Sequence, residues 1–233
     1  MGQAVVIIGA GGSGREALDV LRDLRERGDD LDFLGFLDDG HPDAARLGRI
    51  GAACLGPVST LARLPAGVRY CVGIGDGATR RRIDAYASGL GLRAVTLVHP
   101  AATIGRDVRL GDGAVLWPGA HVTTNVTIGR QVHLSRNSTV GHDAVLGDYV
   151  TIMPLVSVSG DVELADEVTM GTGATVIQGR RVGRGSVVGA GAAVVRDIPP
   201  GVVAVDVPAV PRRRITPTPR CPDPGAAGRV APR

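Results

Sequence analysis

The chain has 233 residues and a formal net charge of +3, enough for one large domain or two small ones, each with its own core. The positive charge is not spread evenly: from residue 208 onward there are six Arg and one acid, Asp223, whereas the rest holds twenty Arg against twenty-two acids. A nucleic-acid binder carries its positive charge on the folded surface, so that class is set aside. Cys54, Cys71 and Cys221 are widely spaced with no CxxC, which argues against a disulfide framework and for a reducing compartment. No segment approaches the ~20 consecutive apolar residues of a membrane span. Residues 1–3 lead into an apolar run without the charged region of a signal peptide, so a cytoplasmic location is expected.

In chain order, residues 4–8 form a continuous apolar run, the mark of a buried parallel strand. It feeds Gly9, Ala10, Gly11, Gly12, Ser13 and Gly14, then a helical pattern through Ala17, Leu18, Leu21 and Leu24. A Gly-rich turn between strand and helix is the context in which backbone N–H groups cradle a phosphate. A second strand over 31–37 ends at Asp38 and Asp39, where a carboxylate can hold a ribose or base. Further strands are expected at 70–74 and 93–98, with a helix over 78–87. This alternation predicts a Rossmann-like α/β domain over residues 1–98. A dinucleotide needs two such halves and only one fits, so a nucleotide-sugar is favoured over NAD.

From Ile104 to Val194 every sixth residue is aliphatic, sixteen times without an insertion. The fifth position of each hexad is small or aliphatic except at Arg180. A period of six fits neither an amphipathic helix nor a simple strand; it fits a hexapeptide β-helix. Three hexads make one triangular coil, so residues eighteen apart stack. A left-handed parallel β-helix is therefore expected over 99–207, hinged at His99-Pro100. Gly frequently follows the inward residue, where the turn is expected to require backbone freedom. Residues 208–233 form a Pro- and Arg-rich tail with no periodicity, expected to be partly disordered.

Of the five histidines, His41 and His99 read as solvated or structural, and His121 and His133 occupy sixth positions of their hexads. His142 stands near a turn with Asp143 beside it. Eighteen residues on lies Gly160, which leaves room for a ligand and offers a backbone N–H. Asn125, Asp143 and Asp161 make an acidic stripe that favours a basic imidazole. The β-helix has no Cys and no recognisable nucleophile motif, so direct attack with His as general base is the simplest acyl-transfer scheme. A metal-dependent hydratase would need convergent histidines, and no H-x4-H pair occurs; no metal is expected. A non-catalytic sugar-sensing scaffold stays open.

Taken together, the loop at 9–14, GFLDD at 35–39, LGPVSTL at 55–61, GIGD at 73–76, LVHPAA at 97–102 and GHD at 141–143 resemble the sialic-acid O-acetyltransferase and bacterial amino-sugar N-acetyltransferase family. The resemblance implies an acetyl-CoA-dependent homotrimer acting on a nucleotide-linked amino sugar, with O-acetylation of a sugar hydroxyl as the alternative. It implies His142 as general base, Asp143 as its carboxylate and Gly160 as the oxyanion N–H. Gly171, Thr172, Gly189 and Ala190 fall on the CoA groove between subunits, and Thr151 is expected to contact the cofactor as well, at the place of a second histidine found nine residues after the base in some relatives. Gly11, Gly12, Ser13, Gly14, Asp38 and Asp39 fall on the nucleotide site. Three departures stand out: Ser13 where many members have His, Thr151 with His133 stacked as a stand-in, and VDVPA at 205–209 at the CoA lid.

Overall fold

A computed structural model of the chain describes residues 2–215. The N-terminal region is a parallel five-stranded sheet in the order β3-β2-β1-β4-β5, formed by β1 (Gln3–Ile8), β2 (Leu31–Leu37), β3 (Cys54–Gly56), β4 (Arg69–Val72) and β5 (Arg93–Ala94). Helices α1 (Gly12–Glu26), α2 (Ala44–Arg49) and α3 (Gly77–Gly89) connect the strands, with a 3-10 turn at Val58–Arg63. The apolar run of β1 lies between two cores: Val5 and Ile7 pack with Leu18 and Leu21, and Val6 and Ile8 with Tyr70 and Ile83. Weak periodicity hid α2 and β3. The expected strand over 93–98 is split in two. Its second half, Leu97–Val98, pairs with Val115–Leu116 and is already the first rung of the next sheet.

The β-helix has three faces of parallel two-residue strands, and residues eighteen apart pair as far as Val194, as in His121↔Thr139, Thr127↔Val145 and His133↔Thr151; in the last coil the offset falls to sixteen, as in Val187↔Val203. The inward aliphatics form one continuous core from Leu116 to Val202, and no helix among the described residues is long and apolar enough to cross a membrane. The corners differ from the sequence expectation. The glycines that follow inward residues do not take positive φ; they allow coils to approach. A Cβ at Gly141 would lie 2.6 Å from the Gly160 nitrogen, and one at Gly171 would lie 2.6 Å from the Ala190 nitrogen. The left-handed residue falls two positions later and is often not glycine, as at Asn125, Asn137, Asp143, Leu155 and Asp161, with φ of 54–62°. Asn and Asp tolerate that conformation better than other side chains.

The three faces are chemically distinct. One, of eight strands, carries Val115, His133 and Thr151 outward and is covered by the N-terminal region, so these residues are buried. The second, of six strands, presents Thr103, His121, Thr139, Ser157, Thr175 and Ala193, small and uncharged apart from the histidine. The third presents Arg109, Thr127, Val145, Glu163 and Arg181. Of the presumed tail, Val210–Arg214 is a strand antiparallel to Val202–Val205; residues 216–233, with Cys221, lie outside the described residues.

Two residues one turn apart on α3 join the regions. Arg80 is fully buried. Its guanidinium donates to the carbonyls of Ile74, Gly75, Gln131, Tyr149 and Val150 and to Thr151 Oγ1, at 2.8–3.1 Å. Burial lowers its pKa to about 10. Asp84 accepts from the hydroxyls of Tyr70 and Tyr149, from Gln131 Nε2 and from both Nε and Nη2 of Arg130. Burial pushes this carboxyl up, but the hydrogen bonds, led by Arg130, outweigh it and hold it below its ordinary value. Removing Arg80 strands several buried carbonyls, each costing about 1–3 kcal/mol. Arg80→Leu is therefore expected to lose about 3 kcal/mol or more in urea unfolding; a loss under about 1 kcal/mol would show that the clamp contributes little.

His133 gives this junction a pH dependence. It is 2% exposed, lies edge-to-face with Trp117 at 5.0 Å, and its Nε2 has no partner among the described residues. Burial, then the Arg80 charge, holds its pKa well below 6.5. As pH falls through about 6.5 the unfolded chain takes up this proton and the folded chain does not, so stability present at neutral pH is lost in acid. The contribution is about 1.4 kcal/mol per pH unit within that window. Unfolding measured at pH 7.5 and 5.5 should show it, and His133→Leu should flatten the difference; an unchanged slope would point to other groups.

Candidate active site

The first cluster lies at the corner that leaves the small-residue face after strand Thr139–Val140. Coil stacking fixes its backbone: the Asp143 N–H donates to Thr124 O at 3.2 Å, and the Asp161 N–H to His142 O at 2.9 Å. Asp143 adopts φ 60°, and its Oδ2 lies 2.7 Å from His142 Nδ1. Asn125 Nδ2 donates to the other carboxylate oxygen at 3.3 Å. The hydrogen bond from His142, then that from Asn125, holds the Asp143 carboxyl below its usual range. With Nδ1–H held by Asp143, Nε2 carries the lone pair.

The imidazole lies on Gly160. A Cβ there would come within 2.5 Å of both Cε1 and Nε2, so any larger residue displaces the ring. Among the described residues the Gly160 N–H has no acceptor. The other histidines are elsewhere. His133 is buried in the junction, one pair from Thr151, and cannot serve as a second histidine at the reaction centre. His121 contacts Thr103 Oγ1 on the small-residue face. His99 donates to Asp23 at 2.7 Å and accepts from the Ala101 N–H, and His41 is exposed.

Gly171, Thr172, Gly189 and Ala190 come together at the opposite corner of the small-residue face, with Thr172 and Ala190 exposed. Val205 of the VDVPA segment closes on them, its Cγ1 2.7 Å from where a Gly189 Cβ would stand. Thr151 does not belong to this ledge. It is 2% exposed, and its Oγ1 accepts from Arg80 and donates to Gly75 O, so the expectation of a cofactor contact there is corrected to a junction role. Within one chain, the face of small residues separates His142 from the ledge.

The third cluster lies at the carboxyl ends of β1, β2 and β4, where the strand order reverses, the usual place for a ligand in an open α/β sheet. A Cβ at Gly14 would fall 1.8 Å from Gly9 O, and one at Gly73 would fall 2.4 Å from Gly14 Cα. These glycines let α1 pass close to two strands. Gly11 and Gly12 have open space above them, and no side chain caps the helix, leaving first-turn N–H groups for an anion. Both oxygens of Asp38 accept backbone N–H groups, from Ala10 at 2.7 Å and Gly40 at 2.8 Å, so this carboxylate shapes the loop. Asp39 Oδ1 accepts from the Val58 N–H. Both aspartates line a cavity of about 260 Å³ whose wall also includes Thr79, Arg82 and Tyr86 of α3. Sequence reading missed those three; the GIGD turn that precedes them, with Asp76 capping the helix through the Thr79 N–H, was the available signal.

Comparison with known proteins identifies the family. The family model described as the PglD N-terminal domain matches residues 4–86. PerB from Caulobacter crescentus, solved with CoA and GDP-perosamine, is 32% identical with a TM-score of 0.80, over 90% of this chain and 97% of that one. The acetyltransferase domain of PglB from Neisseria gonorrhoeae, in complex with acetyl coenzyme A, is 30% identical with a TM-score of 0.81, over 91% and 100%. WeeI from Acinetobacter baumannii is 26% identical with a TM-score of 0.79, over 90% and 99%. A protein of Schizosaccharomyces pombe described as an acetyltransferase is 54% identical over 43 residues, 18% of this chain and 21% of that protein. The chain belongs to the bacterial sugar acetyltransferase family of hexapeptide-repeat enzymes.

Proposed function

We propose that the protein transfers the acetyl group of acetyl-CoA to an amino group on a nucleotide-linked sugar, in the cytoplasm, with His142 as general base. The observation that carries this reading is the His142–Asp143 pair seated on Gly160. Asp143 holds Nδ1–H, so Nε2 can take the proton as the sugar nitrogen attacks the thioester carbonyl. The carbon–sulfur bond then breaks, CoA leaves as its thiol, and the proton passes on from His142. The Gly160 N–H is the donor we assign to the tetrahedral oxyanion. The N-terminal cavity and the open first turn of α1 take the nucleotide, through the backbone of Gly11, Gly12, Ser13 and Gly14 and through Asp39.

A homotrimer completes the site. Three prisms that turn one face toward a common axis set one corner of that face beside the opposite corner of the next subunit. The small-residue face suits this role, since it can be covered without burying charge. His142 of one chain then meets Gly171, Thr172, Gly189 and Ala190 of its neighbour, which we assign to CoA. Light scattering should give three chains per particle. A monomer with full activity would require a different site.

Activity is tested by free-thiol release from acetyl-CoA with GDP-perosamine and with UDP- and dTDP-linked amino sugars. His142→Ala should lower turnover by about 10² to 10⁴ with nucleotide-sugar binding largely kept, and Asp143→Asn should lose less. Gly160→Ala should also lose turnover, because its methyl displaces the ring. Turnover retained in His142→Ala would place the base elsewhere, and acetylation of a sugar lacking an amine would favour the hydroxyl as nucleophile.

A further inference from the structure

Leu155 departs from the pattern of its corner. The corner that carries the ledge has one left-handed residue per coil: Gly119, Asn137, Leu155, Gly173 and Gly191, with φ of 73°, 54°, 62°, 66° and 68°. Glycine and asparagine are ordinary there, whereas a branched apolar side chain is disfavoured. Leu155 is nevertheless 61% exposed, so its strain is not offset by burial within the chain. Such an outlier motivates a search for a function.

Its surroundings narrow the choice. The Leu155 N–H donates to Arg136 O at 3.1 Å. Arg136 reaches the first turns of α1 through a two-point pair with Glu16, at 2.5 and 2.8 Å, so the Gly-rich loop is tied to this corner. One coil further on lie Thr172 and Gly173. Leu155 therefore stands between the assigned nucleotide site and the assigned CoA ledge.

Height along the shaft adds the reacting centre. Coils stack at ~4.8 Å, and residue 155 follows residue 142 by thirteen of the eighteen positions in a coil, a rise of roughly 3.5 Å. The His142 ring leans the same way, onto Gly160. A threefold axis parallel to the shaft preserves height, so Leu155 of one subunit comes level with the His142 imidazole of the next.

We propose that Leu155 is a specificity-determining residue that packs against the carbon frame of the acceptor sugar and presents its nitrogen to His142 of the neighbouring subunit. The proposal rests on the function assigned above. The isobutyl group supplies an apolar wall where the other coils supply none, and filling that wall is a property of the acceptor, not of acetyl-CoA.

The test compares the parent with Leu155→Gly and Leu155→Met, using acetyl-CoA and GDP-perosamine or whichever nucleotide-linked amino sugar the parent turns over fastest. Leu155→Gly suits the backbone, so its melting temperature should be no lower and its particle should remain three chains. Its KM for the nucleotide-sugar should rise about tenfold, its KM for acetyl-CoA should stay, and Leu155→Met should restore most of the loss. Three results would overturn the proposal: an unchanged nucleotide-sugar KM, an effect confined to acetyl-CoA, or dissociation of the trimer, which would make Leu155 a subunit contact. A parent that turns over no nucleotide-linked amino sugar sinks the functional reading and this proposal together; an active parent with an indifferent Leu155→Gly sinks this proposal alone.

Discussion

Every side chain on the β-helix has its neighbours set by a coil of eighteen residues. Up to Ala193–Val194 each short strand bonds to the strands eighteen residues before and after it, as Thr139 does between His121 and Ser157, and only the last coil shortens the offset to sixteen, as in Val187↔Val203. A single insertion would turn every later residue onto a different part of the prism, taking inward valines to the surface. The same constraint places His142 over Gly160 and aligns Asn125, Asp143 and Asp161. The proposed catalytic pair, which would otherwise need loops of defined shape, is held by backbone bonds on both sides, Asp143 to Thr124 and Asp161 to His142. The rigidity that keeps a base in place comes with the repeat.

The repeat alone does not hold the N-terminal region. Arg80 and Asp84 do so by opposite means. Asp84 receives five hydrogen bonds and a guanidinium charge, whereas Arg80 is a buried cation surrounded by carbonyl oxygens. Burying charge is costly, and an apolar contact of the same area is often as stable. What the polar clamp adds is orientation, because Arg80 satisfies its donors only when Gly75 of one region and Tyr149 of the other are both in place. That orientation sets the Gly-rich loop above the Arg136 and Leu155 corner.

How far the sequence was legible follows from these two layers. The hexad period announced the architecture, the stacking and the His142–Asp143–Gly160 grouping, because a repeat converts spacing directly into position. The alternation of apolar runs announced β1, β2 and α3. The same reading misplaced the turn chemistry: glycine after the inward residue is a matter of coil contact, and the left-handed position two residues on accepts Asn, Asp and even Leu155. It also missed the clamp. Arg80 and Asp84 look like the solvated face of a helix, and only the pairing of non-local surfaces buries them. Thr151 and His133 were misread for the same reason, as their face of the prism is covered by a region remote in sequence.

Exposure of the proposed catalytic pair supports the proposed assembly. The side chains of His142 and Asp143 are 50% and 46% exposed in the single chain, so water screens their interaction, and it would equally solvate a developing oxyanion at Gly160. Acyl transfer to an amine is in competition with hydrolysis, and a site open to solvent favours the latter. In the proposed trimer a second corner laid against the first would remove that water, strengthen the hydrogen bond that orients the ring, and bring a backbone ledge without side chains that would block a long thioester. The face between those corners bears threonines, a serine and an alanine, with His121 the one ionisable group outward from its strands. With its hydroxyls paired, such a surface is dehydrated at lower cost than the face that bears Arg109, Glu163 and Arg181, so in the proposed trimer closing the site and joining the subunits would be one and the same event.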